Sequence, residues 1–145
     1  MIVRQVTSEG LAHHSYYIGS GRVAAVIDPR RDCDVYLDLA RGLDQQISII
    51  FETHRNEDYV TGSCELANRS GAAIYHGPVT AFSYGARVEE GMSFTVGDLE
   101  ISVLETPGHT PDSISLVVRD KKVSVDPYLV CTGDALFAGD VGRTD

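Results

Sequence analysis

Three residues of metal-ligand type stand where apolar runs give way to turns: His54 in "FETH", His109 in "TPGHTPDS" and Asp134 in "CTGDALF". Strand ends fix the backbone and the loops after them aim side chains into a shared cleft, which is how many metal sites are built. Two imidazoles and one carboxylate bind a borderline or hard divalent ion. With positions left open, the 2-His-1-carboxylate set is diagnostic of non-haem Fe(II) oxygen chemistry. Spacing alone does not join the three, and taken singly each reads better as a turn histidine or a capping aspartate. Around the first of them, "THRNEDYVTG" gathers His54, Asn56, Asp58 and Tyr59 directly after the apolar run "ISIIFE".

The elements that position these residues follow from pattern and punctuation. "IVRQV", "HHSYYIG" and "VAAVIDP" read as three short strands, with a glycine turn, "GSGR", between the second and third. "DVYLDLARGLDQQ" carries Val35, Leu37, Leu39 and Leu43 at roughly helical spacing, with Asp34 as N-cap and Gly42 as a weak point. "ISIIFETH" fits a strand buried on both faces. "GSCELANRSG" is a short helix ended by Gly71, and "AAIYHG" is the next strand. Beyond it, "MSFTVGDLEISVLETPGHTPDSISLVV" alternates apolar and polar residues around a "GD" turn, as antiparallel strands do, and "YLVCTGD" adds one more. This succession predicts an α/β layered fold.

At 145 residues the chain is the size of one domain, 1–145. Twelve basic against 21 acidic residues give a net charge of −9, and no basic run forms a nucleic-acid footprint. The opening "MIVRQVTSEG" lacks the apolar segment of a secretory signal, and no apolar run is long enough to cross a bilayer. The expectation is a cytoplasmic protein without nucleic-acid or membrane partners. Cys33, Cys64 and Cys131 are odd in number and widely spaced, which fits reduced thiols rather than a disulfide framework.

"THRNEDYVTG", "TPGHTPDSISL" and "CTGDALFAGDVGRTD" together resemble the metallo-β-lactamase superfamily, most closely its persulfide dioxygenase branch and the bacterial fusions of that branch with rhodanese domains. The resemblance implies an αβ/βα sandwich, incomplete here in its C-terminal half, with the chain as the N-terminal portion of the domain. The superfamily's first motif is usually T-H-x-H-x-D-H. His54 matches its first histidine, Asn56 its second, Asp58 its aspartate and Tyr59 its last histidine. The hydrolase pattern of glyoxalase II holds two metals and needs imidazoles where Asn56 and Tyr59 stand. Asn56 is a poor ligand and Tyr59 an uncommon one, so a binuclear zinc hydrolase is disfavoured.

The dioxygenase branch holds a single Fe(II) by residues matching His54, His109 and Asp134. The implied reaction oxidises a small-molecule thiol persulfide, such as glutathione persulfide, with dioxygen to sulfite and the thiol. Asp58 then supports a ligand histidine as hydrogen-bond acceptor, and Tyr59 and Asn56 bond bound water or oxygen or serve the turn alone. Arg143 matches an arginine of the branch, and a loop-tying role is the better reading than a substrate clamp. His13, His14 and His76 read as packed or exposed residues away from the site, at most one of Tyr16 and Tyr17 faces the cleft, and Asp112 implies an altered turn after Pro111.

The chain stops at "GRTD", where members of the superfamily continue. Two explanations are open: a piece of a longer protein, with rhodanese modules as one form of it, or a shortened form whose open side a partner covers, as in a homodimer. Two further functional readings stand beside the dioxygenase, namely a zinc thioester hydrolase of glyoxalase II type and a non-catalytic remnant acting by protein association. The ligand set itself accepts iron, zinc or manganese.

Overall fold

A computed structural model describes residues 1–55 and 59–143. Strands β1 (Ile2–Ser8), β2 (His13–Ser20) and β3 (Val23–Ile27) form an antiparallel meander. The chain then crosses through helix α1 (Asp34–Gly42) to β4 (Gln46–Glu52) and through α2 (Ser63–Ser70) to β5 (Ala73–His76), with β6 (Ala86–Arg87) at the edge. These six strands make one sheet in sequential order, antiparallel from β1 to β3 and parallel from β3 to β6. A second, antiparallel sheet runs in the order β10 (Leu129–Cys131), β9 (Ile114–Asp120), β8 (Leu99–Glu105), β7 (Ser93–Val96). A small hairpin of β11 (Leu136–Phe137) and β12 (Asp140–Val141) follows.

Two cores hold the layers. Between the sheets lie Ile18, Ile27, Phe51, Leu99, Ile101, Ile114 and their neighbours; between the large sheet and its helices lie Tyr17, Val26, Tyr36, Ile47, Ile50 and Leu66. β4 feeds both, as its continuous apolar run predicts. A register irregularity opposite Ala24 and Ala25 leaves Ser48 unmatched, so Ile47 and Ile50 face the helices while Ile49 and Phe51 face the second sheet. Fully burying a side chain such as Phe51 stabilises the fold by roughly 1.5–3 kcal/mol, and its ring packs edge-on against Phe94 of β7 with centroids 5.1 Å apart. The layering is the αβ sandwich that the sequence predicts, and among the described residues no helix covers the outer face of the smaller sheet.

The helix ends depart from expectation in one case. Asp34 does not cap α1: Cys33 is the N-cap without a side-chain cap bond, and Asp34 sits in the first turn, where its carboxylate pairs with Arg69 of α2 at 2.6 Å. α1 also stops at Gly42 rather than running to Gln46. Asp44 takes a positive φ of 52°, and the Gln46 N–H donates to the Arg22 carbonyl as β4 begins. α2 ends as predicted, with Gly71 at φ +77° and its N–H on the Ala67 carbonyl.

Candidate metal centre

His54 is placed by the residue before it, Thr53, and by the strands that hold Thr53. β4 ends at Glu52, and the next residue, Thr53, is held three ways. Its N–H donates to Asp28 Oδ1 and its hydroxyl to Asp28 Oδ2, both at 2.7 Å, while its carbonyl accepts the Ile114 N–H of β9 at 2.7 Å. Asp28 ends β3 with φ +50° and donates its own N–H to the Phe51 carbonyl. Burial pushes the Asp28 carboxyl up to about 7; the two bonds from Thr53 pull it down, and the nearby carboxylates of Glu52 and Asp134 push it further up. Thr53 Oγ1 then stands 2.9 Å from His54 Nδ1.

His109 and Asp134 come from the other sheet. His109 lies on the loop between β8 and β9, and its Nδ1 donates to the Arg143 carbonyl at 3.1 Å. Asp134 lies in a single 3-10 turn, Gly133–Ala135, after β10. Two close approaches lock this turn in place. A Cβ on Gly133, which has φ +50°, would fall 2.3 Å from Thr53 Oγ1; one on Gly142 would fall 1.8 Å from the Asp134 carbonyl oxygen and 3.1 Å from His109 Cβ.

The result is one group of donors. His54, His109 and Asp134 each offer a ligand atom within 4.8 Å of the others, the one such group found among the described residues. His54 Nε2 is 3.9 Å and His109 Nε2 3.7 Å from Asp134 Oδ2, and the two rings meet edge to face with centroids 5.2 Å apart. Those separations are too long for hydrogen bonds. Two ligands each about 2.1 Å from one ion stand roughly 3.0–3.5 Å apart, so these donors, all within 4.8 Å of one another, must draw together by up to about 1.5 Å to share an ion. Each Nδ1 has a hydrogen-bond partner, and each Nε2 is turned toward Asp134. The residues present fit a divalent ion of borderline character.

Two of the donors, His54 and Asp134, line a cleft of about 480 Å³ whose walls include Leu11, His13, Tyr16, Tyr59, Leu136 and Phe137. His14 lines the same cleft and so does His13, contrary to the reading that set both apart from the site. His13 is buried, its Nδ1 and Nε2 reach Ser8 Oγ and the Asp28 carbonyl, and its ring lies against Tyr59 with centroids 3.9 Å apart. Burial holds its imidazole below the ordinary histidine value. Burial likewise drives the Tyr59 phenol far above its ordinary value, with Asp28 and Glu52 acting in the same direction, so Tyr59 presents a neutral hydroxyl. Tyr16 lines the cleft while Tyr17 is buried on the helix side and donates to Gln45 Oε1, the alternation expected of a strand. Asn56 and Asp58 lie outside the described residues. Arg143 meets the site through its backbone carbonyl, and Asp112, almost fully buried, accepts the Arg55 N–H at 3.2 Å and so ties the two histidine loops together. Thr53, Asp28 and Gly133 were not foreseen as site residues; "VIDP" and the threonine before His54 were visible, but nothing in their spacing joins them.

A sequence profile of the Metallo-beta-lactamase superfamily matches residues 9–145. Hydroxyacylglutathione hydrolase GloC of Haemophilus influenzae is 27% identical over 144 residues, covering 84% of this chain and 65% of that protein. Among solved structures, ETHE1 from Myxococcus xanthus matches with a TM-score of 0.89 and 36% identity over all of this chain and 62% of its own. A metallo-beta-lactamase from Staphylococcus aureus matches with a TM-score of 0.93 and 31% identity over all of this chain and 46% of its own. The chain thus spans about half to two thirds of the length of these relatives. The chain belongs to the metallo-β-lactamase superfamily, whose members are metal-dependent enzymes.

Proposed function

We propose that the chain is a mononuclear Fe(II) persulfide dioxygenase, or the metal-binding part of one. The observation that carries this reading is the convergence of two histidines and one carboxylate, with a neutral phenol, Tyr59, at the position where the two-metal hydrolase pattern has an imidazole. A protonated tyrosine is no metal ligand, which favours one ion over two. His54, His109 and Asp134 would hold an Fe(II) ion, which would supply open coordination positions for a persulfide sulfur and dioxygen.

The chain's own residues do the rest of the work. The Arg143 carbonyl and Thr53 hold the two imidazoles in place, and Leu11, Leu136 and Phe137 give the cleft apolar walls against which the sulfur chain packs. Tyr59, which lines the cleft, carries a neutral hydroxyl that can donate a hydrogen bond. In the overall reaction the S–S bond of the persulfide breaks. The terminal sulfur takes both atoms of dioxygen and one oxygen from water, and sulfite, the thiol and two protons leave.

Anaerobic loading with Fe(II), metal analysis, and oxygen uptake on glutathione persulfide test the proposal. It requires one iron per chain and sulfite formed with the oxygen consumed. Tightly bound zinc with thioester hydrolysis and no oxygen uptake would instead support the hydrolase reading, which the resemblance to the Haemophilus enzyme favours. Absence of any bound metal after loading would support the non-catalytic one.

A further inference from the structure

Resting on the metal reading above, the geometry points to Thr53 as the positioning residue that selects the tautomer of His54, with Asp28 fixing the direction in which the Thr53 hydroxyl bonds. Above about pH 7 Asp28 is ionised and its oxygens only accept, so at 2.7 Å Asp28 Oδ2 accepts the Thr53 hydroxyl hydrogen bond. The Thr53 N–H on Asp28 Oδ1, also at 2.7 Å, holds the carboxylate in the plane where it does so. With its one proton directed at Asp28, Thr53 Oγ1 has only lone pairs left for His54. The contact to His54 Nδ1 at 2.9 Å is then an Nδ1–H donation, and the Nε2 lone pair is left facing Asp134.

The surroundings make Thr53 a node rather than a chance neighbour. It is 1% exposed, and Asp28 and His54 are each 7% exposed, so no bulk water competes for these bonds. Its carbonyl is pinned to β9 through the Ile114 N–H. The Asp134 turn seats directly on its hydroxyl, because Gly133 has no Cβ to meet Oγ1. Thr53 therefore touches the supports of two donors at once. The second histidine is set differently: His109 Nδ1 bonds a backbone carbonyl, that of Arg143, which no side-chain replacement removes. Of the two imidazoles, only His54 depends on a side-chain hydroxyl for its tautomer. Nitrogen ligands to metals are commonly oriented by a carboxylate or carbonyl on the other ring nitrogen; here a hydroxyl is interposed between carboxylate and ring.

The test uses ¹⁵N-histidine-labelled protein freed of metal with a chelator, at pH 8. Long-range ¹H–¹⁵N correlations are expected to show His54 protonated at Nδ1 and bare at Nε2; a His54 protonated at Nε2 would overturn the inference. Thr53→Val keeps the shape and removes the hydroxyl. It should abolish the single His54 tautomer, leave His109 unchanged, and weaken Co(II) or Zn(II) binding by about 10–100-fold, while Thr53→Ser stays within about threefold of wild type. Wild-type affinity in a folded Thr53→Val protein would also overturn it. Should Thr53→Val fail to fold, the wild-type spectrum alone decides. Wild-type protein that binds no ion yet shows His54 bare at Nε2 would sink the metal reading and support the positioning of His54 by Thr53.

Discussion

Asp28 is a carboxyl group inside the protein with no salt bridge among the described residues, and its position in the fold has a cost that depends on pH. Its ordinary value is 3.8 and burial raises it to about 7, against the Thr53 bonds that lower it and with Glu52 and Asp134 raising it further. Below about pH 4 both folded and unfolded chains hold this proton. Between about 4 and 7 only the folded chain does, so stability falls as pH rises through that window, by at most about 1.4 kcal/mol per pH unit, and levels off above 7. In metal-free protein, the wild type should therefore lose stability relative to Asp28→Asn as the pH is raised from 4.5 to 7.5. Denaturant melts of both proteins across that range check it, and parallel pH profiles would refute it. His109 differs in kind, since it is a loop residue, partly exposed and absent from both cores. His109→Ala should change the stability of metal-free protein by no more than about 0.5 kcal/mol while weakening ion affinity by more than about 100-fold, beyond the effect of losing a supporting residue. Isothermal titration with Zn(II), set beside a thermal melt, separates the two effects.

At the scale of elements, the site depends on segments passing within backbone contact of one another. Gly142 lies just after β12, where any Cβ would sit 1.8 Å from the Asp134 carbonyl oxygen. That neighbour is backbone and cannot swing aside. Gly142→Ala should push the segment carrying Arg143 away, free His109 Nδ1 from its carbonyl, and weaken metal binding by about 10-fold or more, as loss of a supporting hydrogen bond does, while the two cores keep their packing. Equal ion affinity in wild type and Gly142→Ala would contradict this. Close approaches of this kind are invisible in sequence, which is why Gly133 and Gly142 were not read as site residues. The elements themselves were largely legible: β4 from its apolar run, the end of α2 from Gly71, the β7–β8 hairpin from "GD". Where the reading failed, tertiary context decided. "DLARGLDQQ" has helical spacing to its end, but Gly42 and the left-handed Asp44 stop α1 so that Gln46 can join β4, and Asp34 spends its carboxylate on Arg69 instead of a cap. His54, His109 and Asp134 were legible as ligand types at strand ends; Thr53 and Asp28 were not, because their role arises only when β3 and β4 lie side by side.

For the whole molecule, the decisive feature is that the donors come from both sheets. His54 follows β4 of the six-stranded sheet, whereas His109 and Asp134 follow β8 and β10 of the four-stranded one. An ion held by all three fastens the sheets at the mouth of the cleft, as Phe51 and Phe94 fasten them within the core. The unfolded chain separates these residues by 55 and 25 positions and cannot hold the ion the same way. Binding therefore adds directly to folding stability. At a free ion concentration 100 times the dissociation constant the gain is about 2.7 kcal/mol, which for a domain of this size raises the melting temperature by roughly 5–10 °C. The melting temperature of wild type should climb with added Zn(II) or anaerobic Fe(II) and fall back on chelation, whereas Asp134→Ala should melt at one temperature throughout. A wild-type transition that ignores the ion would mean that the three donors do not act together across the sheets.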